Sequence, residues 1–182
     1  MATIDTQPTN KNFLSQLGFK FVINKTPNIN YFVQAVNIPS ITLGSSDLQT
    51  PLSRLPIAGD QLQFGELDIT FKVDEDMKNY LELYNWLIAV GFPDNFDQYK
   101  GIDKTRTGPI SGLVDPMTGQ GVYSDATLTI LSSAMNPIHQ VNYLDCYPLS
   151  IGDLQFNSTD TDVNYLVCQA SFRYRKFEII TL

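Results

Sequence analysis

The residues of this chain that could do chemistry are few and far apart. His139 is the single histidine, so a catalytic Ser–His pair or a histidine-bound metal would have to be built without a second imidazole. We interpret it as a histidine of the turn that begins at Pro137. Asp160 and Asp162 could bind calcium, but the glycine and terminal glutamate of an EF-hand loop are missing. Turn chemistry explains these two aspartates better.

The densest acidic run, Asp74-Glu75-Asp76, could be proposed as a metal or acid–base cluster. It directly precedes an amphipathic pattern, however, and negative charge stabilises the N-terminus of a helix. The glycines form neither a phosphate-binding GxxxxGK[ST] loop nor a GxGxxG fingerprint after a strand. We therefore predict a protein that is not an enzyme and has no catalytic residues, metal or cofactor.

The clearest secondary-structure elements adjoin that acidic run. Apolar and polar residues alternate strictly over residues 66–73, which predicts a strand with one buried face. An amphipathic helix is predicted over residues 76–90, ended by Gly91 and Pro93. The residues expected on its core face are Met77, Tyr80, Leu81, Tyr84, Leu87 and Ile88.

Alternation elsewhere predicts further strands. Residues 19–35 are expected to form a β-hairpin around the turn signal Thr26-Pro27-Asn28. Strands are also predicted over residues 126–131, 140–147 and 163–179. The total, about seven strands and one helix, indicates a mainly β fold: an antiparallel β-sandwich or open barrel with a flanking helix.

The chain is expected to form one domain, residues 17–182, preceded by an N-terminal arm of residues 1–16. Two long connections stand out, residues 44–62 and residues 94–121, and both are rich in glycine and proline. Long connections often bind partners. Residues 44–62 also fit a pair of edge strands protected by prolines, and that alternative stays open.

Composition narrows the possible functions. The net charge of −7 argues against a nucleic-acid reader, because affinity for phosphates needs clustered Lys and Arg. The basic residues Arg173, Arg175 and Lys176 alternate with aromatic ones and fit the solvent-facing side of a strand. Two cysteines are too few for a disulfide framework, and no signal peptide or membrane-spanning segment is evident. We expect synthesis in a cytoplasm and no membrane partner.

Several stretches, taken in order, resemble one known family over roughly residues 17–180. The resemblance is to the tail-tube family of contractile phages, which includes baseplate proteins that start the tube. The stretches are Ile38-Pro39, Ile57-Ala58-Gly59-Asp60, LDITFKVDEDMKNYLELYNWL, Gly91-Phe92-Pro93, DATLTILSS, VNYLDCYPLSIGDLQF and SFRYRKFEII.

The resemblance implies a structural virion protein of the phage tail, synthesised in the host cytoplasm. It implies a β-sandwich with a flanking helix, assembled into hexameric, stacked rings around a channel through which DNA passes as non-specific cargo. Partners would be further copies of the chain and neighbouring tail proteins such as the sheath, baseplate or terminator. A tube-initiating baseplate or tail-completion role is the alternative within the family.

Ring closure and stacking each require an interface between subunits. Strands 66–73 and 163–179 are expected to have free edges that pair between copies. The channel-facing residues are expected to be acidic or neutral, because such a surface lets DNA slide. Candidate interface residues are Leu55, Ile57, Asp60, Phe64, Arg173 and Arg175.

Another class of function remains open. A monomeric β-sandwich could bind a carbohydrate or peptide through residues 94–121, with Phe96 and Tyr99 lining the cleft. The oligomeric state separates the two hypotheses, because a binding module is expected to stay a monomer.

Overall fold

The computed structural model describes residues 12–49, 53–91, 122–158 and 164–182. Within these ranges the chain is mainly antiparallel β structure with helices at two places. The elements are β1 (Phe19–Ile23), α1 (Pro27–Phe32), β2 (Val33–Val36), β3 (Ile41–Gln49), β4 (Arg54–Phe64), β5 (Leu67–Lys72), α2 (Lys78–Gly91), β6 (Ser124–Leu131), β7 (Pro137–Ile151), β8 (Val167–Arg173) and β9 (Lys176–Thr181).

Strand β7 organises the main sheet. The first part of this 15-residue strand pairs with β6 on one side and β9 on the other, and its last part pairs with β8. Between the two parts lies Asp145, whose φ is 57°. The strand therefore belongs to two half-sheets. The first half-sheet is β1-β6-β7-β9, and the second is β2-β5-β8 with the end of β7.

Alternation places one face of each half-sheet in a shared core. Leu67, Ile69 and Phe71 of β5 are buried, as the sequence pattern predicts. Helix α2 adds Leu83 and Trp86, and the Trp86 ring lies 6.2 Å from that of Phe172. The buried sheet residues are Phe21, Ile23, Leu67, Ile69, Phe71, Ala126, Leu128, Val141, Tyr143, Cys146, Cys168, Ala170 and Phe172.

This architecture confirms the predicted fold class, although the described residues contain two helices where one was predicted. The predicted hairpin over residues 19–35 is wrong. β1 pairs with β6, β2 pairs with β5, and α1 lies between β1 and β2. Pro27 favours a helix start because its ring sets φ in the first turn. The Asn30 side chain then accepts from the Ile23 amide at 2.8 Å and donates to the Ile23 carbonyl at 3.2 Å, which fixes α1 against β1.

The predicted strand over residues 163–179 is two strands that meet at a corner. The Arg175 amide donates to the Leu144 carbonyl at 3.0 Å, where the chain leaves β8 and enters β9. The expected free edges are wrong for β5 and β8. Among the described strands, β5 lies between β2 and β8, and β8 lies between β5 and β7. The second part of the predicted 163–179 strand is β9, which pairs with β7 alone in the described part of the chain and so keeps one unpaired edge.

The predicted core face of α2 is wrong in part. Leu81 and Tyr84 are exposed, while Leu83, Trp86 and Ala89 face the core. Apolar residues surround much of this helix, so its periodicity does not identify the side that packs on the sheet.

The acidic run lies in a turn just before α2 rather than within its first turn. The buried Asn79 side chain organises this turn. It accepts from the Asp74 amide at 3.2 Å and donates to the Lys72 carbonyl at 2.8 Å. Asp76 accepts from the Lys78 ammonium, which lowers the pKa of that carboxyl group.

Several predictions fall outside the described residues: residues 94–121, Asp160, Asp162 and the N-terminal arm before Asn12. The division into an arm and one domain stays a prediction. His139 lies within β7, opposite Ile130 and Thr181, rather than in a turn before it. Within the described ranges, no helix is long and apolar enough to cross a membrane.

The left-handed backbone at Asp145 yields the first prediction. Asp145→Val is expected to lower the free energy of unfolding by about 1–3 kcal/mol, because a β-branched residue is strained at positive φ. Asp145→Gly relieves that strain and loses only an exposed ion pair with Arg175, so a change within about 1 kcal/mol is expected. Urea denaturation measures both variants. Ser150→Val, at an exposed position of the same strand, is the control, and an equal loss there would contradict the role of the Asp145 backbone.

Candidate assembly interface

The most exposed element of the described chain is the β3–β4 hairpin. Its two strands pair only with each other, and nearly every residue in them is exposed. This outcome matches the strand-pair alternative for residues 44–62. We call this hairpin, residues 41–49 and 54–64, the arm.

The arm carries apolar side chains along its length. Near the body, Ile41 pairs with Phe64 and Leu43 with Leu62; cross-strand partners share a face, so these four form one apolar ladder. Near the tip, Leu48 pairs with Leu55 and Ser46 with Ile57. Leu55 and Ile57 are 53% and 48% exposed. Exposed apolar surface of this extent is typical of a protein interface.

Glycine permits a close approach in the middle of the arm. The register shifts between Leu43 and Ser45, and Gly59 lies there against Gly44. A Cβ added at Gly59 would lie 2.5 Å from the Gly44 carbonyl oxygen. Asp60 lies in this irregular stretch of β4, where a bulge increases the twist of the pair. The exposed Asp60 side chain therefore sits at the bend of the arm.

A polar clamp fixes the arm where it leaves the second half-sheet. The Asn37 side chain accepts from the Asp68 amide at 2.8 Å and donates to the Glu66 carbonyl at 3.1 Å. Beside it, the Gly65 amide donates to the Ser40 carbonyl at 2.9 Å. These bonds continue the β2–β5 pairing towards the β3–β4 pairing, so the arm is an extension of that strand pair.

An aromatic cluster supports the base of the arm from the other side. The Phe64 ring lies 5.6 Å from that of Phe177 and 6.1 Å from that of Tyr174. The Tyr174 ring lies in turn 5.3 Å from that of the buried Tyr143. Such tilted and edge-on pairs stabilise packing beyond area burial alone. Phe64 thereby connects the arm to the core.

Arg173 and Arg175 flank this cluster and form ion pairs within the chain. Arg173 lies 3.5 Å from the Glu66 carboxylate at the foot of the arm, and Arg175 lies 2.9 Å from that of Asp145. Both arginine side chains are largely exposed, so each pair contributes at most about 1 kcal/mol. The two arginines remain accessible to a partner that offers a carboxylate.

The six candidate interface residues therefore fall into two groups. Leu55, Ile57 and Asp60 lie along the exposed arm. Phe64, Arg173 and Arg175 surround its base. Their role in contacts between subunits stays a prediction. Leu43, Leu48 and Leu62 also lie exposed on the arm but are not among the residues predicted from the sequence, although their spacing in two proline-flanked runs was a usable signal.

The titratable groups in the core are poorly suited to catalysis. Burial raises the pKa of Cys146 to about 12 and also raises the pKa of the Cys168 thiol. Burial likewise raises the pKa of Tyr174 to about 12. These groups stay protonated near neutral pH, and a thiol attacks only as its thiolate. Among the described residues, no cluster of His, Cys, Asp and Glu is arranged to hold a metal ion.

Comparison with known proteins gives a consistent result. A family model described as phage tail tube protein matches residues 3–180. The tail tube terminator protein of Enterobacteria phage T4 is 24% identical over 162 residues, which cover 86% of this chain and 81% of that protein.

Solved structures agree at the level of the fold. The tube-terminating cap of the anti-feeding prophage superposes with a TM-score of 0.59 at 12% identity, covering 100% of both chains. A chain of the sheath–tube complex of the extracellular contractile injection system PVC gives a TM-score of 0.56 at 11% identity, covering 94% of both chains.

The aromatic support of the arm yields the second prediction. Phe64→Ala is expected to lower the free energy of unfolding by about 1–2 kcal/mol, because a partly buried ring and two aromatic contacts are lost. Hydrogen exchange of the β3–β4 amides should also become faster. Leu62→Ala, on the same face of the arm but without these ring contacts, is the control and should change stability by about 0.5 kcal/mol or less. Equal effects of the two substitutions would show that the ring contacts do not hold the arm.

Proposed function

The chain belongs to the phage tail tube protein family, and from this premise we propose that it assembles into a hexameric ring of a phage tail. Family membership makes it a structural protein of the tail, of the tube or tube-terminator type, and hence part of the virion. The proposal adds that identical copies close a ring, that rings stack on each other or on neighbouring tail proteins, and that DNA passes through the centre.

The exposed arm is the observation that carries this proposal. Its apolar side chains are half exposed in the single chain, while its base is held by a polar clamp and an aromatic cluster. An apolar hairpin held away from its own core requires another surface to bury it. A subunit that assembles with identical neighbours has such a surface available.

The charge distribution supports one side of the subunit as the lining of the channel. The outer face of the first half-sheet has an uncharged centre, with Thr127 and Thr129 of β6 beside Asn142 and Gln140 of β7. Thr127 and Gln140 both donate to the Asn142 side chain, at 3.3 and 2.8 Å. Lys20 of β1 and Glu178 of β9 flank this centre on the same face, with one charge of each sign. The outer face of the second half-sheet carries charged residues on its central strand, Asp68 and Lys72 of β5. A neutral surface is the better lining, because DNA phosphates bind to clustered positive charge.

Two positions in the tail fit a protein of this kind. As a major tube subunit, the ring would stack on identical rings. As a terminator, a single ring would cap the tube, and this second candidate is supported by the T4 tail tube terminator relative and by the likeness to the anti-feeding prophage cap. In both roles the partners are copies of the chain and adjacent tail proteins, and synthesis takes place in the host cytoplasm.

The mass and shape of the purified protein test this proposal. Light scattering should give a particle of six times the 20.4 kDa chain, and negative-stain microscopy should show rings. Rings that extend into tubes would identify a major tube subunit, while single rings would identify a terminator. A stable monomer at the highest concentration reached would contradict the proposal and favour the ligand-binding module.

The channel assignment yields a separate prediction. Thr127→Lys would place a ring of new positive charges on the proposed lining, so assembled rings should bind DNA with an affinity that falls steeply as salt rises. Unmodified rings should bind weakly at the same salt. Fluorescence anisotropy with a labelled duplex measures both. Thr70→Lys, on the outer face of the second half-sheet, is the matched control; if it binds DNA equally, the first half-sheet does not line the channel.

A further inference from the structure

Helix α2 has an apolar face that the core does not use. Leu83 and Trp86 are buried, while the opposite side of the helix carries apolar residues at steps of three and four. Leu81 and Tyr84 are 45% and 47% exposed. A surface helix is ordinarily polar on its outward side, and one that is apolar on both sides is normally buried on both. This outer face is defined by Leu81, Tyr84 and Ile88 of α2, with Met77 directly before the helix.

The tip of the arm is a second apolar surface that the described part of the chain leaves exposed. Leu48 and Leu55 are cross-strand partners, and Ile57 follows two residues along β4 on the same face. All three are about half exposed. Because the arm tip and the outer face of α2 are both exposed, the tip does not pack on α2 within one chain.

We propose that the arm tip of one copy packs on the outer face of α2 in a neighbouring copy. This inference deepens the proposed ring-forming function and rests on it. It assigns one half of a contact between copies to Leu48, Leu55 and Ile57 on the arm. It assigns the other half to Leu81, Tyr84 and Ile88 on α2, with Met77 directly before the helix.

The two surfaces match in length. The apolar outer face of α2 extends for about 10 Å from Leu81 to Ile88, at 1.5 Å per residue. Strand β4 extends for about 10 Å from Arg54 to Ile57, at about 3.3 Å per residue. The arm tip therefore fits within the length of the helix.

Charge favours one orientation of the contact. Arg54 lies at the rim of the arm tip, where its side chain leaves the strand on the opposite face from Leu55, and Asp74 and Glu75 precede the N-terminal end of α2. When Leu55 and Ile57 lie over Leu81, the orientation that brings Arg54 towards the acidic end of α2 is favourable. The opposite orientation leaves the guanidinium near the apolar C-terminal part of the helix.

One contact with a second copy buries both exposed apolar surfaces. The arm and α2 are different surfaces of the same chain, so a contact between them is head-to-tail. In an assembly of identical copies, every arm then has one α2 face to occupy. No other component is needed to cover either surface.

Charge substitution with rescue tests the pairing. Ile57→Glu and Leu81→Lys are each expected to raise the concentration needed for assembly at least about tenfold, because each places a charge against apolar surface. The double variant, which carries both changes, should return to within about threefold of the unmodified protein, because each contact then pairs Glu with Lys. Light scattering over a dilution series measures assembly.

Matched controls separate this contact from general effects of charge. Gln63→Glu adds a negative charge on the other face of the arm, near its base, where its cross-strand partner is Thr42. Asn85→Lys adds a positive charge on an exposed, flanking part of α2. Both should assemble within about threefold of the unmodified protein. Because Ile57 and Leu81 are exposed, the urea midpoints of the unassembled variants should be unchanged.

The outcomes distinguish this inference from the function on which it rests. If the unmodified chain never assembles, the proposed ring is wrong and this contact is wrong with it. If the unmodified chain forms rings and either single variant assembles normally, only the contact is overturned. Loss of assembly without rescue in the double variant also overturns the pairing. The pairing is also overturned if Leu81→Lys forms normal rings that fail only to join other tail proteins. The outer face of α2 would then bind a different partner.

Discussion

The fold depends on one strand serving two half-sheets. β7 can pair with β6 and β9 along its first part, and with β8 along its last, because its backbone turns at Asp145. An aspartate adopts positive φ more readily than most residues. Its amide is satisfied by the Asp125 side chain at 3.2 Å, and its carboxylate by Arg175. The β8–β9 corner lies directly opposite this turn, so the two bends support each other.

That turn also determines where the arm begins. The second half-sheet places β5 beside β8, and the β2–β5 pair then continues outward through Asn37 and Gly65. On one side of the exit lie Arg173 and Glu66; on the other, Phe64 packs against Tyr174 and Phe177. Polar bonds and aromatic contacts thus define the direction of the arm together. The arm exposes apolar residues because its base, and not its length, is attached to the core.

The sequence predicts the core strands well, but it predicts poorly which apolar residues face the core and which stay exposed. Strict alternation in β5 identified its buried face because only one face was apolar. For α2 the same logic failed, since apolar residues occur on opposite sides and periodicity alone does not distinguish a core from an interface. The β8–β9 corner did leave a signal. Phe172 and Tyr174 are two residues apart, whereas Phe177 follows after three, and this change of phase coincides with the corner.

The candidate site shows the same limit. Leu55, Ile57 and Phe64 could be selected from a run rich in apolar residues and proline, and the structure places them on the exposed arm and at its base. The bond that Asn37 makes across the strands to Asp68, and the approach of Phe64 to Phe177, depend on residues distant in the chain. Local patterns contain no information about such pairs. The order of the elements along the chain was the stronger guide to the family. That order reflects the whole fold, including the contacts between distant residues.

The attachment of the arm has a mechanical consequence. Both of its strands run directly into the body, one into β2 and the other into β5, so a pull on the tip is transmitted along the strand axis. The β5–β8 pairing, from Leu67 opposite Phe172 to Lys72 opposite Val167, then carries the load in shear. Bonds loaded in shear must break together, whereas bonds that are peeled apart break one after another. The geometry by which the arm joins the sheet therefore resists tension along the arm better than it resists bending sideways.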